Sequence, residues 1–200
     1  MKSDNPCESV IQTPAGFKRI EVGEIPDDWE VKAIDEIAEV KGGKRLPKGR
    51  RLTHQATAHP YIRVTDMRPG GVSITEVRYV PDDVFPAIAN YVIHSSDLFI
   101  SVAGTLGIVG RIPPQLDGAN LTENADKITS ISCDRDYLLY QLMSRRIQDT
   151  IEAERTLGAQ PKLALTRIGR FLIALAPTEA EQRAIATVLS DVDALVTALD

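Results

Sequence analysis

The stretch that decides the fold is PTEAEQRAIATVLSDVDALVTALD, residues 177–200. Pro177 disfavours helix in the residue before it, and Thr178 can cap a first helical turn. Glu181, three residues after Thr178, can reach back to the amide of the cap and complete a capping box. The sequence therefore predicts that a helix begins here.

Apolar residues recur along this helix at spacings of 3, 4, 3 and 4, the a/d pattern of a heptad repeat. They are Ile185, Val188, Val192, Leu195 and Leu199. Two heptads fit a helix that lies on its own domain as well as one that packs on a partner. The pattern runs to Leu199 without a Gly or Asn cap, and the preceding 176 residues are enough to close a core. We therefore expect a protruding helix that forms an antiparallel coiled coil with a partner helix.

The composition is that of a globular chain with one domain and an appendage: 200 residues, 43% hydrophobic and 26% charged. No apolar run approaches the roughly 18 residues of a membrane span, and the N-terminus lacks the apolar core of a signal peptide. We therefore expect a cytoplasmic protein without a membrane partner. Cys7 and Cys133 lack a second Cys or a His at metal-ligand spacing, so we expect free thiols.

The body of the chain is predicted to be α+β, with a mixed or antiparallel sheet and a few helices. Residues 31–40 fit either two strands joined by a helical turn or one helix. The other predicted elements are strands over 60–67, 72–80, 98–102, 128–133 and 171–176, a polar loop over 120–127 and a helix over 136–155. We expect a flexible leader over 1–16, a globular domain over 17–176 and the helix over 177–200.

Residues 41–51 read KGGKRLPKGRR and hold six basic residues among eleven, with Gly and Pro that disfavour regular structure. This segment is termed the cationic loop. Because the net charge of the chain is −5, nucleic acid would contact a local patch rather than the whole surface. Runs of charge are commonly solvated surface, but cations beside glycines in an acidic protein favour phosphate contacts, with Arg available for guanine edges.

The candidate DNA-binding residues fall into two sets. The loop supplies Lys41, Lys44, Arg45, Lys48, Arg50 and Arg51. A second set follows it and comprises Arg63, Thr65, Arg68 and Arg78. Asp66, beside the second set, is expected to cap or orient a turn rather than to contact DNA.

One catalytic pattern has to be weighed against binding. Asp27, Glu39 and Lys41 fit the spacing of metal-dependent nucleases, in which two carboxylates hold a metal ion and a Lys steadies the attacking water. That chemistry requires both carboxylates at one end of adjacent strands, whereas Asp27 falls in a predicted turn. The nuclease and a protein-interaction module that does not bind DNA remain the alternative functions.

Other catalytic and cofactor motifs are missing from the sequence. The glycines of residues 104–110 fit tight turns rather than a phosphate-binding loop, and His54, His59 and His94 lack partners at metal-ligand spacing. There is no nucleophile elbow and no adenine-methyltransferase motif. We expect a non-catalytic chain without a cofactor or a metal.

Two motifs resemble a known family. Pro177, Glu181, Gln182 and Ile185 match the Pro-x-x-x-Glu-Gln-x-x-Ile signature that opens the conserved spacer helix of type I restriction-modification specificity subunits. Residues 23–29, GEIPDDW, resemble the Gly-x-Ile-Pro-x-x-Trp segment of the same subunits. The Trp of that segment is expected to anchor the core rather than to stack on a base.

The resemblance implies one target-recognition domain followed by one spacer helix. In that family the specificity subunit reads a bipartite DNA sequence, one half-site per recognition domain, while adenine methyltransferase subunits modify the DNA and restriction subunits translocate and cut it. The implied partners are double-stranded DNA, those two kinds of subunit, and a second copy or second half joined through the helix. We expect a natural half subunit or, preferably, a fragment of a longer protein.

Overall fold

The fold is α+β, as predicted, in a computed structural model that describes residues 13–21, 23–155 and 162–199. The predicted leader therefore lies mostly outside the described residues. The helices of the described part are α1 Ile34–Ile37, α2 Arg135–Met143, α3 Arg145–Arg155, α4 Leu165–Gly169 and α5 Glu179–Leu199. The last of these is the long C-terminal helix that the heptad pattern predicts.

The described residues also contain fourteen short strands. In chain order they are β1 Phe17–Ile20, β2 Gly23–Pro26, β3 Glu30–Ala33, β4 Glu39–Gly42, β5 Pro60–Ile62, β6 Met67–Arg68, β7 Gly71–Val72, β8 Arg78–Tyr79, β9 Val92–Ile93, β10 Leu98–Ser101, β11 Val109–Arg111, β12 Ala119–Leu121, β13 Ala125–Thr129 and β14 Leu172–Leu175.

Two four-stranded sheets form the centre of the body. One has the order β11-β10-β13-β4 and is antiparallel throughout. The other has the order β8-β5-β12-β9 and is mixed, because β5 and β12 run parallel. Three strand pairs, β1-β2, β3-β14 and β6-β7, complete the described strands.

Strand β10 separates two apolar cores. Leu98 and Ile100 join the larger core, which is filled from the helices, while Phe99 between them joins a second core on the other face. All three side chains are fully buried. A short continuous apolar run of this kind is typical of a strand covered on both faces, and the strand predicted over 98–102 is confirmed.

Several other sequence predictions are confirmed. Residues 31–40 form β3, α1 and β4, which is the strand, turn and strand reading rather than one helix. The strand over 171–176 is β14, which pairs with β3 and so brings the end of the body back to its beginning. The turn glycines Gly104 and Gly107 both adopt positive φ, at 79°, as tight turns favour.

Some predicted boundaries are wrong because local hydrogen bonds compete with the apolar pattern. The strand predicted over 60–67 ends at Ile62, since Asp66 accepts a hydrogen bond from the Arg63 amide at 2.9 Å and closes a 3₁₀ turn. The segment 72–80 holds two short strands in different sheets rather than one strand. The strand predicted over 128–133 ends at Thr129, because Ser130 has φ of 54°.

Two further predictions are corrected. The helix predicted over 136–155 is two helices, since Ser144 leaves the helical region with ψ of 147° and its hydroxyl donates to the Gln141 carbonyl. The polar loop predicted over 120–127 contains most of β12 and most of β13. Its polar residues Asn120 and Asp126 are buried, and the Asn120 amide donates to the Ile88 carbonyl at 2.9 Å. Because this segment is polar in composition, its sequence did not indicate either strand.

Gly43 is where β4 leaves its sheet, and its backbone lies against the turn that joins β12 to β13. A Cβ at this position would lie 2.0 Å from the Thr122 carbonyl oxygen and 2.5 Å from that of Leu121. These are backbone atoms, so a side chain cannot displace them without moving the turn. The cationic loop therefore starts from a point that the fold fixes.

Replacement of Gly43 by Ala should destabilise the protein by about 2 kcal/mol or more, because the added methyl overlaps main-chain oxygens. Urea unfolding measures the change. The matched control is Gly71→Ala, where a Cβ meets nothing within 4 Å and φ is not positive. Equal stability of the two variants would contradict the close approach at Gly43.

Candidate nucleic-acid interface

The root of the cationic loop is held by main-chain hydrogen bonds. The Gly43 amide donates to the Ala125 carbonyl at 3.0 Å and the Lys44 amide to the Leu121 carbonyl at 2.8 Å. The Tyr61 hydroxyl donates to the Lys44 carbonyl at 2.9 Å, and burial raises the pKa of Tyr61, so this donor keeps its proton. Lys41 itself belongs to β4, so the segment predicted to be irregular begins with two strand residues.

Most cations of the loop already have a partner. Lys41 pairs with Glu39 and lowers the pKa of that carboxyl, while Arg50 pairs with Asp83. Arg45 lies 2.6 Å from Glu123, and the Lys44 ammonium lies 5.4 Å from the centroid of the Tyr91 ring. Within the described part of the chain, the exposed Lys48 and Arg51 have no ion-pair partner.

The second set of candidate residues differs from the loop in environment. Arg63 is half-buried and bonded within its own domain. Its Nε and Nη2 atoms donate to Asp66, which raises the pKa of Arg63 above its ordinary value, and Nη2 also donates to the Glu76 carbonyl. Arg68 is exposed, but its Nη1 atom donates to the Thr65 and Met67 carbonyls. The interpretation of Asp66 as a turn-capping residue is confirmed.

The remaining two candidates, Thr65 and Arg78, are exposed and half-buried, respectively. Thr65 is exposed within the 3₁₀ turn. Arg78 lies on the edge strand β8, opposite Tyr61, and lines a groove with His54 and Glu76. In the described residues, no hydrogen bond or ion pair joins either side chain to the cationic loop.

The three nuclease residues are not brought together. Asp27 follows β2 in the two-stranded β1-β2 hairpin, whereas Glu39 and Lys41 lie on β4 at the edge of the four-stranded sheet. The Asp27 carbonyl accepts a hydrogen bond from Lys18 at 2.7 Å. The two carboxylates therefore do not occupy adjacent strands, and the nuclease alternative lacks the geometry that its chemistry requires.

Among the described residues, metal-ligating and thiol groups form no further candidate site. Within residues 13–21, 23–155 and 162–199, no three His, Cys, Asp or Glu residues form a group that could hold a metal ion. Cys133 is a free, half-buried thiol whose pKa is raised to about 11 by burial and by Asp134 and Glu179. Cys7 lies outside the described residues.

The base of α5 is joined to the body by a cluster termed the helix joint: Trp29, Asp134, Ala176, Glu181 and Gln182. The buried Gln182 amide donates to the Ala176 carbonyl at 2.8 Å and accepts from the Asp134 amide at 2.8 Å. The Trp29 indole donates to Glu181 at 3.2 Å. The joint thus ties the start of α5 to the start of α2 and to the N-terminal part of the body.

The aromatic residue of the joint packs as the sequence predicts. The Trp29 and Tyr137 rings meet edge to face, with centroids 6.2 Å apart. The Tyr137 hydroxyl donates to the Ala174 carbonyl at 2.6 Å, and burial raises the pKa of Tyr137 to about 12. Thr178 caps α5, since its hydroxyl accepts from the Glu181 amide at 3.2 Å.

Beyond the joint, the apolar side of α5 is uncovered. Ile185 packs with the body beside Trp29 and Tyr137, but Val188 is 62% exposed and Leu199 is 87% exposed. Val192 and Leu195 are also exposed, as are two residues that the heptad seam omitted, Leu189 and Val196. Beside this uncovered side, the Tyr140 hydroxyl of α2 donates to Asp193 at 2.9 Å and so links α5 to the body.

The family follows from a match over most of the chain rather than from the two motifs alone. A family model described as the type I restriction modification DNA specificity domain matches residues 26–200. The chain belongs to this family. The resemblance carried by Gly23–Pro26 with Trp29 and by the start of α5 is therefore confirmed.

Relatives of this specificity domain are longer proteins. The chain is 30% identical over 192 residues to the specificity subunit named for the type I restriction enzyme MjaX of Methanocaldococcus jannaschii, and 24% identical over 186 residues to the MjaVIII specificity subunit of the same organism. Each alignment covers 90% of this chain but 43% of the relative. The chain thus spans less than half the length of the curated relatives that it matches.

Solved structures share the fold. The chain aligns with a TM-score of 0.68 and 19% identity to a structure of the type I R-M system, covering 92% of this chain and 42% of that one. The HsdS subunit from Thermoanaerobacter tengcongensis aligns with a TM-score of 0.62, 17% identity and the same coverage. The S subunit from M. genitalium aligns at 0.56 and 20% identity over 82% of this chain and 39% of its own.

Sequence reasoning missed residues that hold a functional residue or segment in place from far along the chain. Glu123 holds Arg45 from 78 positions away, and Gln182 reaches Asp134 from 48 positions away. No local spacing marks such pairs. Leu189 and Val196 were missed for a different reason: a strict a/d seam has two positions in seven, whereas the exposed apolar face of this specificity-domain helix is three positions wide.

In the described part of the chain, no helix is long and apolar enough to cross a membrane.

Proposed function

We propose that this chain is the DNA-recognition part of a type I restriction-modification specificity subunit and reads one half-site of a bipartite target. The observation that carries the proposal is the match of residues 26–200 to the family's DNA specificity domain. The chain itself acts as a non-catalytic reader. Methylation of adenine, translocation and cleavage belong to partner methyltransferase and restriction subunits.

The surface proposed to meet DNA is the cationic loop. The protein carries a net charge of −5, so its phosphate contacts need a local concentration of cations. Lys48 and Arg51 supply it, because they are exposed and no carboxylate neutralises them in the described residues. Lys44 stands beside them, and Lys41 and Arg50 can exchange their carboxylate partners for phosphate. Arg63, Arg68, Thr65 and Arg78 form a secondary set.

The geometry proposed for target reading uses α5 as a spacer. The helix joint fixes the base of α5, and the exposed apolar face beyond it would pack on a second helix, from another copy or from the second half of a longer subunit. Two recognition domains held in this way are separated by a constant distance. That distance sets the number of unread base pairs between the half-sites.

Replacement of Lys48 and Arg51 by Ala should lower the slope of log K against log salt for duplex binding by about 2, since each lost phosphate contact removes about 0.9. Fluorescence anisotropy over a salt series measures it. The control removes two cations elsewhere, Arg19→Ala with Arg145→Ala, both exposed and paired with Glu24 and Asp149. If the two double variants change the slope by the same amount, the loop is excluded from the interface.

Replacement of Val188 and Leu195 by Asp should abolish association through α5, because it buries two charges in the helix seam. Sedimentation velocity of the parent and the variant measures the change. The matched control, Thr187→Asp with Ala194→Asp, adds the same charges to exposed positions off the seam. A parent that stays monomeric at high concentration would rule out pairing with a second copy and leave the second half of a longer subunit as partner.

A further inference from the structure

Arg45 and Glu123 form an ion pair whose two members differ sharply in exposure. The Nε and Nη2 atoms of Arg45 both lie 2.6 Å from Glu123 Oε1. The arginine side chain is 76% exposed, whereas that of the glutamate is 25% exposed. The carboxylate is therefore recessed behind the guanidinium, and in the described residues Nη1 has no partner. The Nε–Nη2 edge of the guanidinium is occupied, and the Nη1–Nη2 edge of this exposed side chain keeps donors available to a ligand; it is termed the outward edge.

Both ends of this pair are fixed by the fold. The Thr122 hydroxyl donates to the other oxygen of Glu123 at 3.1 Å, in the turn between the buried strands β12 and β13. Burial acts to raise the pKa of Glu123, but hydrogen bonds from Arg45, Thr122 and the backbone outweigh it and hold that pKa below its ordinary value. On the arginine side, Lys44 is bonded to the same turn through its amide. These contacts favour one orientation of the guanidinium before any ligand binds.

The other arginines near the loop lack this arrangement. Arg63 is 27% exposed and uses Nε and Nη2 on Asp66 and the Glu76 carbonyl. The pair of Arg50 has the opposite asymmetry, since Asp83 is 66% exposed and Arg50 is 44% exposed. Arg51 has no carboxylate to hold it in the described residues. Arg45 alone among these combines a recessed carboxylate with an outward edge.

We infer that Arg45 reads a guanine in the target and that Glu123 is the residue that positions it, an inference that rests on the proposed function. Guanine presents two acceptors, O6 and N7, in the major groove, and the outward edge of an arginine donates to both at once. A guanidinium held by a carboxylate loses less conformational freedom on binding than a free one. Lys48 and Arg51, exposed on the same loop, serve the flanking phosphates.

The test selects duplexes that the 200-residue chain binds from a randomised library, sequences them, and measures anisotropy affinities for single base-pair variants of the best duplex. The parent should require one G·C pair. Arg45→Lys keeps the charge but loses the two-donor edge, so its preference for that pair over A·T should fall about tenfold, with the other positions retained. Glu123→Gln removes the charge that holds the Arg45 guanidinium and should reduce the preference at the same position. Arg145→Lys, on the exposed start of α3, is the control and should retain the parent's profile.

The possible outcomes distinguish a failure of the guanine contact from a failure of the proposed function. If the parent binds duplex DNA but both variants keep its full preference at every position, Arg45 is not the guanine reader. A parent that binds duplexes without any base preference also excludes Arg45 as a guanine reader. A parent that binds no duplex at all contradicts the proposed function, and the inference falls with it.

Discussion

The structure depends on one buried side-chain amide. Gln182 bonds the main chain at the start of α2 through its oxygen and the main chain at the end of β14 through its nitrogen, both at 2.8 Å. An unpaired buried main-chain group costs about 1 to 3 kcal/mol, so the body and α5 have one favourable arrangement at this point. A helix rooted in this way can leave its domain with apolar residues exposed and still keep a defined direction.

The same joint explains why two distant motifs occur together. Trp29 and Glu181 are 152 positions apart and share a hydrogen bond, while β3 and β14 pair beside them. The segment that opens the domain therefore closes against the segment that opens the helix. The cationic loop is rooted on the same body, since β4 pairs with β13 before the chain turns at Gly43. The cationic loop and the C-terminal helix are therefore both attached to the strands of one body.

The sequence predicts the elements whose signals are local. The capped heptad of α5, the continuous apolar run of β10 and the anchoring Trp29 each lie within one short stretch, and all three are found. Long-range partners carry no such signal. Asn120 and Asp126 look like loop residues because their buried environment comes from distant strands. Of the candidate site, the loop and its cations could be found from composition, but which cations are neutralised depends on Glu123 and Asp83, far along the chain.

The most direct test of the account is the direction of α5 in the free chain. With Cys7 and Cys133 replaced by Ser, spin labels at Thr197 and Arg145, both exposed, report the distance between the distal helix and the body by pulsed electron resonance. Dilution with unlabelled protein isolates distances within one chain. A rigid joint predicts one narrow distance distribution that broadens when Gln182 is replaced by Ala. A distribution equally broad in parent and variant would contradict a helix that holds a fixed direction.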